Sequence, residues 1–430
     1  MEIMAENEHQ SGEYWLIDIV QGKKFEEVLD PAPCCCIYKV PQYLRKINEE
    51  AYTPSLISIG PLHYAREELM GMESQKKRYW SEFSKRVNAE NLKEMKTYII
   101  DQEKHIRDHY SIASKLESSE YVAMILHDAV FIIELFLRKH RETDETGDFL
   151  LQLPLIIKIK EDLQLLENQL PYFVLNNLFM KAFPTEINLT FFDLQCTFFR
   201  VPKLFSNEFS KEPQVKHFTD FIRRLYVMKV QTTMQSNRGH LLDLPNATKL
   251  KESGLKFRRL KDKHLLGISL EKRKLVKWLP WFEVNELQIP RLKIYDNTEG
   301  RFRNLMALEM FHYPKQTHIC NYAILMDYLI DTAKDVELLV EKEIIVNCVG
   351  ENEAIAKMFN RLCSHIILSD SCYHDIAKKI KAHYKSPWNH LKATLKIVYF
   401  GNLWIGTATL AAAFLLILTA TQTVFSGMQL

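Results

Sequence analysis

The sequence predicts a mainly α protein: a large multi-helix body with a small antiparallel β element and one C-terminal transmembrane helix. Three observations lead there. Val122, Ile125, Ala129, Ile132, Ile133 and Phe136 recur at helical spacing. Glycine and proline are sparse, 13 and 15 among 430 residues, which favours long helices over many short strands. Finally, no charged residue follows Lys396, and Leu403–Phe425 reads LWIGTATLAAAFLLILTATQTVF.

Composition sets bounds on function. Hydrophobic residues make up 47%, enough for a sizeable core, and charged residues 26%, near the globular average. A net charge of only +2 lacks the concentrated basic face of a nucleic-acid binder, so no nucleic-acid partner is expected. Eight cysteines with no C-x-x-C pair are too dilute for a disulfide scaffold. Adjacent Cys34, Cys35 and Cys36 could be metal ligands or lipidation sites, but both readings lack the partners and flanks they need. Cys34–Val40 therefore reads as a short apolar segment entering the core. Met1–Gln10 carries Glu2, Glu6 and Glu8 where a secretory signal would be basic.

Taken in order, residues 1–33 read as a polar, mobile lead-in closed by Pro31-Ala32-Pro33. Val40-Pro41 and Ile59-Gly60-Pro61 are extended or turn elements, because a residue before proline avoids the helical region. Helices are expected over Glu67–Val87, Glu90–Leu116 and Ser119–Lys139, then a charged loop over 140–150. A fourth helix, Leu155–Leu178, should be kinked or divided by Pro171. Gln195–Glu212 reads as irregular, Gln214–Val230 as helical and Gln231–Gly239 as the least ordered internal stretch. His264–Leu270 and Val284–Tyr295 have strand-like runs and supply the antiparallel element. Helices resume at Arg301–Phe311, Asn321–Ile330, Asp335–Val340 and Ala354–Leu362, followed by a long lysine-rich helix over Asp370–Tyr399. No linker divides the chain. The simplest partition is the lead-in 1–33, one helical body 34–396, and an anchor with a short tail, 397–430.

The terminal run is long enough to cross a bilayer, since its residues at ~1.5 Å each reach roughly 34 Å against a ~30 Å hydrocarbon core. Leu403, Trp404, Phe414, Leu415, Leu416, Ile417, Leu418 and Phe425 are its expected lipid contacts. Tyr399, Phe400 and Trp404 cluster at one end, where aromatic rings favour the interface. Lys378, Lys379, Lys381, Lys385, Lys392 and Lys396 all precede the run, which places the body in the cytoplasm by the positive-inside rule. Insertion of so late a segment would be post-translational. The sequons at Asn188 and Asn246 would matter only for a lumenal body.

Candidate chemistry is thin. His105 and His109 are spaced i, i+4 and could share one metal on a helix face. Asp108 stands where an inverted zincin has Glu, and the spacing reveals no third ligand. Asp128 and Glu134 lie on different faces of one helix and read as ion-pairing groups. Glu167-Asn168-Gln169 packs three polar side chains beside Pro171; such a cluster could bind a ligand, but the favoured reading is that it satisfies backbone groups freed by the kink. Walker A, G-x-S-x-G, G-x-G-x-x-G and kinase signatures are missing. No catalytic residue, metal ligand or cofactor is assigned on this basis. A metal-assisted enzyme built on His105 and His109 stands as the rival to a non-catalytic module.

The ordered motifs resemble the plant proteins defined by domain of unknown function 247, the UPF0481 group. The resemblance runs through Val40-Pro41, Tyr52-Thr53-Pro54, Ile57–His63 (ISIGPLH), Met72-Glu73 and Lys76–Tyr79 (KKRY). It continues through Asp128–Phe136 (DAVFIIELF), Asp162–Val174 (DLQLLENQLPYFV), Pro245–Leu250 and Ser253–Phe257 (SGLKF). Leu287–Asp296, Thr298-Glu299, Arg303–Glu309 (RNLMALE), Asn321–Val336 and the terminal helix complete it. The stretch Leu275–Phe282 (LVKWLPWF) and the triple cysteine depart from the family pattern. The resemblance implies a plant origin, membrane association and no established catalysis. Some grass members of that family are linked to self-incompatibility, so a recognition role in reproduction is one implied alternative. The leading expectation is a membrane-anchored interaction or signalling protein, with the lipid bilayer and an unidentified protein as partners.

Overall fold

A computed structural model describes residues 31–141, 147–184, 189–202, 215–228, 239–240, 243–261, 264–274, 283–366, 370–400 and 403–428. It is 61% helical, with 16 helices among the described residues and few strands. The first half is built from α1 (Gln42–Arg45), α2 (Met70–Arg86), α3 (Ala89–Arg107), α4 (Ser118–Arg141), α5 (Leu155–Asp162), α6 (Tyr172–Ala182), α7 (Phe191–Phe199) and α8 (Phe218–Val227). α4 is the spine. Its apolar positions from Tyr121 to Leu137 are buried except Ala123, with α2, α3, α6 and α7 packed on it. Phe136 stacks on Phe198 at 4.3 Å and also meets Phe191 and Phe218.

The second half follows with α9 (Ala247–Glu252), β1 (Lys256–Leu260), β2 (Ser269–Lys274), β3 (Glu283–Pro290), β4 (Leu292–Ile294), α10 (Thr298–His312), α11 (His318–Leu329) and α12 (Ala333–Glu341). Then come β5 (Ile345–Asn347), α13 (Asn352–Leu362), α14 (His374–Lys385), α15 (Pro387–Phe400) and α16 (Leu403–Met428). One core gathers side chains between Cys36 and Phe218, and a second those between Cys196 and Ile380. Phe199 and Val215 touch both, so the two cores are continuous.

The β element differs from expectation. It is a mixed three-stranded sheet in the order β1-β3-β2, with β1 parallel and β2 antiparallel to the central β3. A separate parallel pair joins Leu292 to Ile345 and Ile294 to Asn347. β1 reads KFRRL and has no visible strand pattern, because only Phe257 among its residues is fully buried. β5 was missed because a three-residue strand carries no period; its partner β4 lies more than fifty residues earlier in the chain.

Helix boundaries differ for identifiable reasons. The expected fourth helix is two. α5 stops at Asp162 because Asn168 Nδ2 donates to Asp162 O, and Gln169 Nε2 donates to Leu163 O and Leu165 O. Those side chains capture carbonyls that another helical turn would have bonded. α6 restarts after Pro171, which sits at its N-cap. The long lysine-rich helix is likewise divided at Ser386, with Pro387 opening α15 in the first-turn position that tolerates it. Part of the stretch expected to be irregular is α7, entered through a reciprocal capping box between Thr190 and Asp193. Gln231–Arg238 and the divergent Leu275–Phe282 fall outside the described residues.

Candidate functional site

Three features can carry function: a buried polar hub, a cysteine–histidine cluster and the terminal helix. The hub forms where α5 ends. Residues 53–60 belong to no helix and pair with no strand among the described residues, and most of them are buried, so their backbone groups need other partners. Asp162 accepts from the N–H groups of Ser55, Leu56 and Ile57 at 3.0, 2.7 and 2.8 Å. Asn168 closes a two-way pair, Oδ1 accepting from Ile59 N at 2.7 Å and Nδ2 donating to Ile57 O at 3.0 Å. Asp128, from the middle of α4, accepts from Gly60 N at 2.8 Å and pairs with Lys76 at 2.7 Å. Lys76 also donates to Ser58 O at 2.6 Å. Gly60 has φ +72°, and a Cβ there would stand 2.6 Å from Gln169 O. Only glycine fits that turn.

Glu167 ties in the chain entry. It accepts from Val40 N at 2.7 Å and from Arg45 Nε and Nη2 at 3.2 and 2.6 Å, and His63 Nε2 lies 3.1 Å away. Burial acts to raise its carboxyl, but His63, Arg45 and the Val40 N–H outweigh burial and hold it below the usual carboxylate range. For Asp162 burial wins over its three backbone donors and the carboxyl is pushed up. The expectation that Glu167-Asn168-Gln169 is structural holds, with one difference. These residues satisfy the end of α5 and also the distant segment at 40–59. Asp128 and Glu134 are ion-paired as expected, Glu134 with Arg86 and with Arg138 at 2.8 Å.

A matching carboxylate organises the second half. Glu309 on α10 accepts from Ile319 N and Cys320 N at 2.8 and 3.0 Å and from Arg223 Nε at 3.1 Å. Between the halves, a groove of about 370 Å³ is lined by Lys160, Gln164, Phe199, Tyr226, Asn297 and Arg301 among others. That volume suits a small ligand. Its carboxylate, Glu161, is already engaged by Asn297 Nδ2 at 2.7 Å and Lys158 at 2.8 Å.

The cysteine–histidine cluster joins two stretches that the sequence kept apart. His105 lies in the last turn of α3, which ends at Arg107 and not at Leu116 as expected, so His109 stands in the turn just beyond it, and the Cys34–Ile37 segment crosses beside them. Ile37 bridges Tyr110, and the N–H groups of Cys36 and Ile37 both donate to His109 O. Donor atoms of Cys34, His105 and His109 thereby lie within 4.8 Å of one another. Burial lowers the tendency of His109 to take a proton. Cys35 and Cys36 are buried, as an apolar segment entering the core requires.

The terminal helix is the opposite of buried. α16 runs 26 residues, and Thr407–Gly427 has a mean hydropathy of 1.8 with none of its residues buried. Phe414, Leu415, Leu416, Ile417, Leu418 and Phe425 are 50% to 71% exposed. The side chains of Leu403 and Trp404, and of Tyr399 and Phe400, lie outside the described ones. The threonine hydroxyls bond inward: Thr419 donates to Leu415 O at 2.8 Å, Thr421 to Ile417 O at 3.0 Å and Thr423 to Thr419 O at 2.8 Å. A hydroxyl that bonds its own helix needs no water.

The profile of a family described as "Plant protein of unknown function", domain of unknown function 247, matches residues 37–418. This chain belongs to that family. A UPF0481 protein of Arabidopsis thaliana is 27% identical over 425 residues, covering 90% of this chain and 85% of that protein. A second UPF0481 protein of the same plant is 24% identical over 182 residues, covering 42% of this chain and 32% of its own. No solved structure matches. The family span holds the hub residues Val40, Arg45, Asp128, Asp162 and Glu167 and most of α16, and it excludes Cys34.

Proposed function

We propose that this family member is a single-pass membrane protein whose helical body is a non-catalytic interaction or signalling module held on the cytoplasmic side. One observation carries the reading. A helix long and apolar enough to span the bilayer projects with no cover from the body, and its hydroxyls are bonded to its own carbonyls. Leaving that much aliphatic surface in water is costly at about 25 cal/mol per Å², and lipid removes the cost. The lysines of α14 and α15 on the body side support the cytoplasmic placement. The carboxylates Asp128, Asp162, Glu167 and Glu309 support a non-catalytic body, because each is engaged by backbone N–H groups and, in three cases, by a buried cation.

Deleting Leu403–Leu430 tests the anchor. The full chain should stay in the membrane pellet through a high-salt and an alkaline wash, while the truncated chain moves to the soluble fraction. A truncated chain that still pellets in high salt would refute anchoring by α16 alone. Protease added to sealed vesicles tests the side. Digestion of the body on the cytoplasmic face is expected, and protection of the body would reverse the orientation.

A further inference from the structure

We infer that Cys34, His105 and His109 form a binding site for one thiolate-accepting transition-metal ion, Zn²⁺ first, that clasps the incoming chain to the end of α3. The three donors come from segments some seventy residues apart and lie within 4.8 Å of one another. In a four-coordinate zinc site, Zn–S of about 2.3 Å and Zn–N of about 2.0–2.1 Å put the donors ~3.3–3.7 Å apart. Closing that difference takes roughly 1 Å of side-chain movement, within reach of staggered rotamers for the exposed His105 and the half-buried Cys34.

The second observation is the orientation of the pair. His109 Nδ1 sits 2.8 Å from His105 O. A carbonyl can only accept, so Nδ1 carries the proton and donates, and Nε2 is left with a free lone pair. This is the outer hydrogen bond that fixes tautomer and ring direction in metal-binding histidines. Phe173 packs against both imidazoles, at 5.1 and 4.9 Å, and limits how the rings can turn. The rings stand edge to face at 4.7 Å, so both can converge on one point.

The donor set selects the ion. One sulfur and two imidazoles suit Zn²⁺ or a softer ion and do not suit Mg²⁺ or Ca²⁺, which want oxygen. Three protein ligands leave a fourth position for water or an outside donor. The backbone already holds this strap, residues 34–37, against the turn that follows α3, through Cys36 N and Ile37 N to His109 O and Ser111 N to Ile37 O. The ion would add a sulfur–metal–nitrogen link at the first residue of that strap, which fixes where the lead-in leaves the body.

The full-length protein, purified in detergent under thiol-reducing conditions and stripped with chelator, is loaded with Zn²⁺ or Co²⁺. Wild type should retain about one ion per chain and give the sulfur-to-cobalt charge-transfer band of a four-coordinate thiolate site. Cys34→Ser should abolish that band. His105→Ala and His109→Ala should each weaken zinc binding by more than about tenfold, since loss of even an outer-shell partner costs tenfold or more. Far-UV circular dichroism should match wild type for His105→Ala, because that side chain is exposed. Absence of stoichiometric zinc in the wild type overturns the proposal. So does zinc held equally tightly by wild type and by the Cys34→Ser/His109→Ala double variant, which would put the ion elsewhere.

Discussion

Two helices of nearly equal length, α4 with 24 residues and α16 with 26, show what apolar length does and does not decide. Both carry long aliphatic and aromatic runs. Every residue from Ala129 to Leu137 on α4 is buried, and its interior charges, Asp128 and Glu134, each meet a cation from another helix. α16 has no charge along its length, no buried residue over Thr407–Gly427, and threonine hydroxyls that bond its own carbonyls. The buried charges mark the core helix. A charge inside a protein is tolerable where a fixed partner meets it, whereas lipid offers none. The absence of charge, more than hydropathy alone, separates the helix that projects from the one that forms the spine.

The sharpest way to break that contrast is to remove one phenyl ring from each helix. Phe136→Ala should lower the unfolding free energy of the body by about 3–5 kcal/mol, because the cavity among Phe191, Phe198 and Phe218 cannot fully collapse. Phe414→Ala should change it by less than about 0.5 kcal/mol, as for an uncovered site. Equal losses in denaturant melts would show that α16 packs on the body after all. Removing a charge that holds the hub comes next. Glu167→Ala strands Arg45 and the Val40 N–H and should cost about 3–5 kcal/mol in the same melts. A change under about 1 kcal/mol would mean water replaces the carboxylate.

Adding a charge to α16 probes the other side. Leu416→Lys near the middle of the span should disfavour insertion by about 2.5–3.5 kcal/mol, read as a fall in the wash-resistant membrane fraction, with body stability unchanged. The smallest effect is a pH dependence confined to the body. His217 is fully buried, donates Nε2–H to Cys36 O at 3.0 Å and accepts from Asp220 N at 3.3 Å. Burial lowers it from 6.5 to about 4. Between those values the unfolded chain binds a proton that the folded one refuses, so stability falls as pH drops. From pH 6.5 to 5.5 this amounts to about 1 kcal/mol, using ~1.4 kcal/mol per pH unit of difference. Asp327, pushed up to about 6 by burial, acts in the opposite direction. The His217 contribution is therefore read as the slope lost in His217→Gln. An unchanged slope would assign the dependence to other groups.

Much of the helical layout was legible because it follows from local periodicity. The span of α4, the helices from α10 to α13, the break near Pro171 and the uncharged terminal run all follow from residue spacing. What escaped was the part that depends on distant partners. β1 looks like a charged surface stretch until β3 lies beside it. Glu167 looks like a polar residue near a kink until Val40 and Arg45 arrive from over a hundred residues away. His105 and His109 were visible as a pair, but Cys34 joins them only through the crossing of the strap over the end of α3.

By itself, then, the sequence determined the helical class, the family and the presence of one helix long and apolar enough to cross a membrane. These depend on period, ordered motifs and the absence of charge, which are all local along the chain. The tertiary structure decided the mixed strand order, the use of Asp128, Asp162 and Asn168 to hold residues 55–60 and of Glu167 to hold Val40 and Arg45, and the meeting of one cysteine with two histidines. Those depend on which backbone groups lack a neighbour once the helices pack, and only the packed chain shows where the unpaired N–H groups and the converging side chains lie.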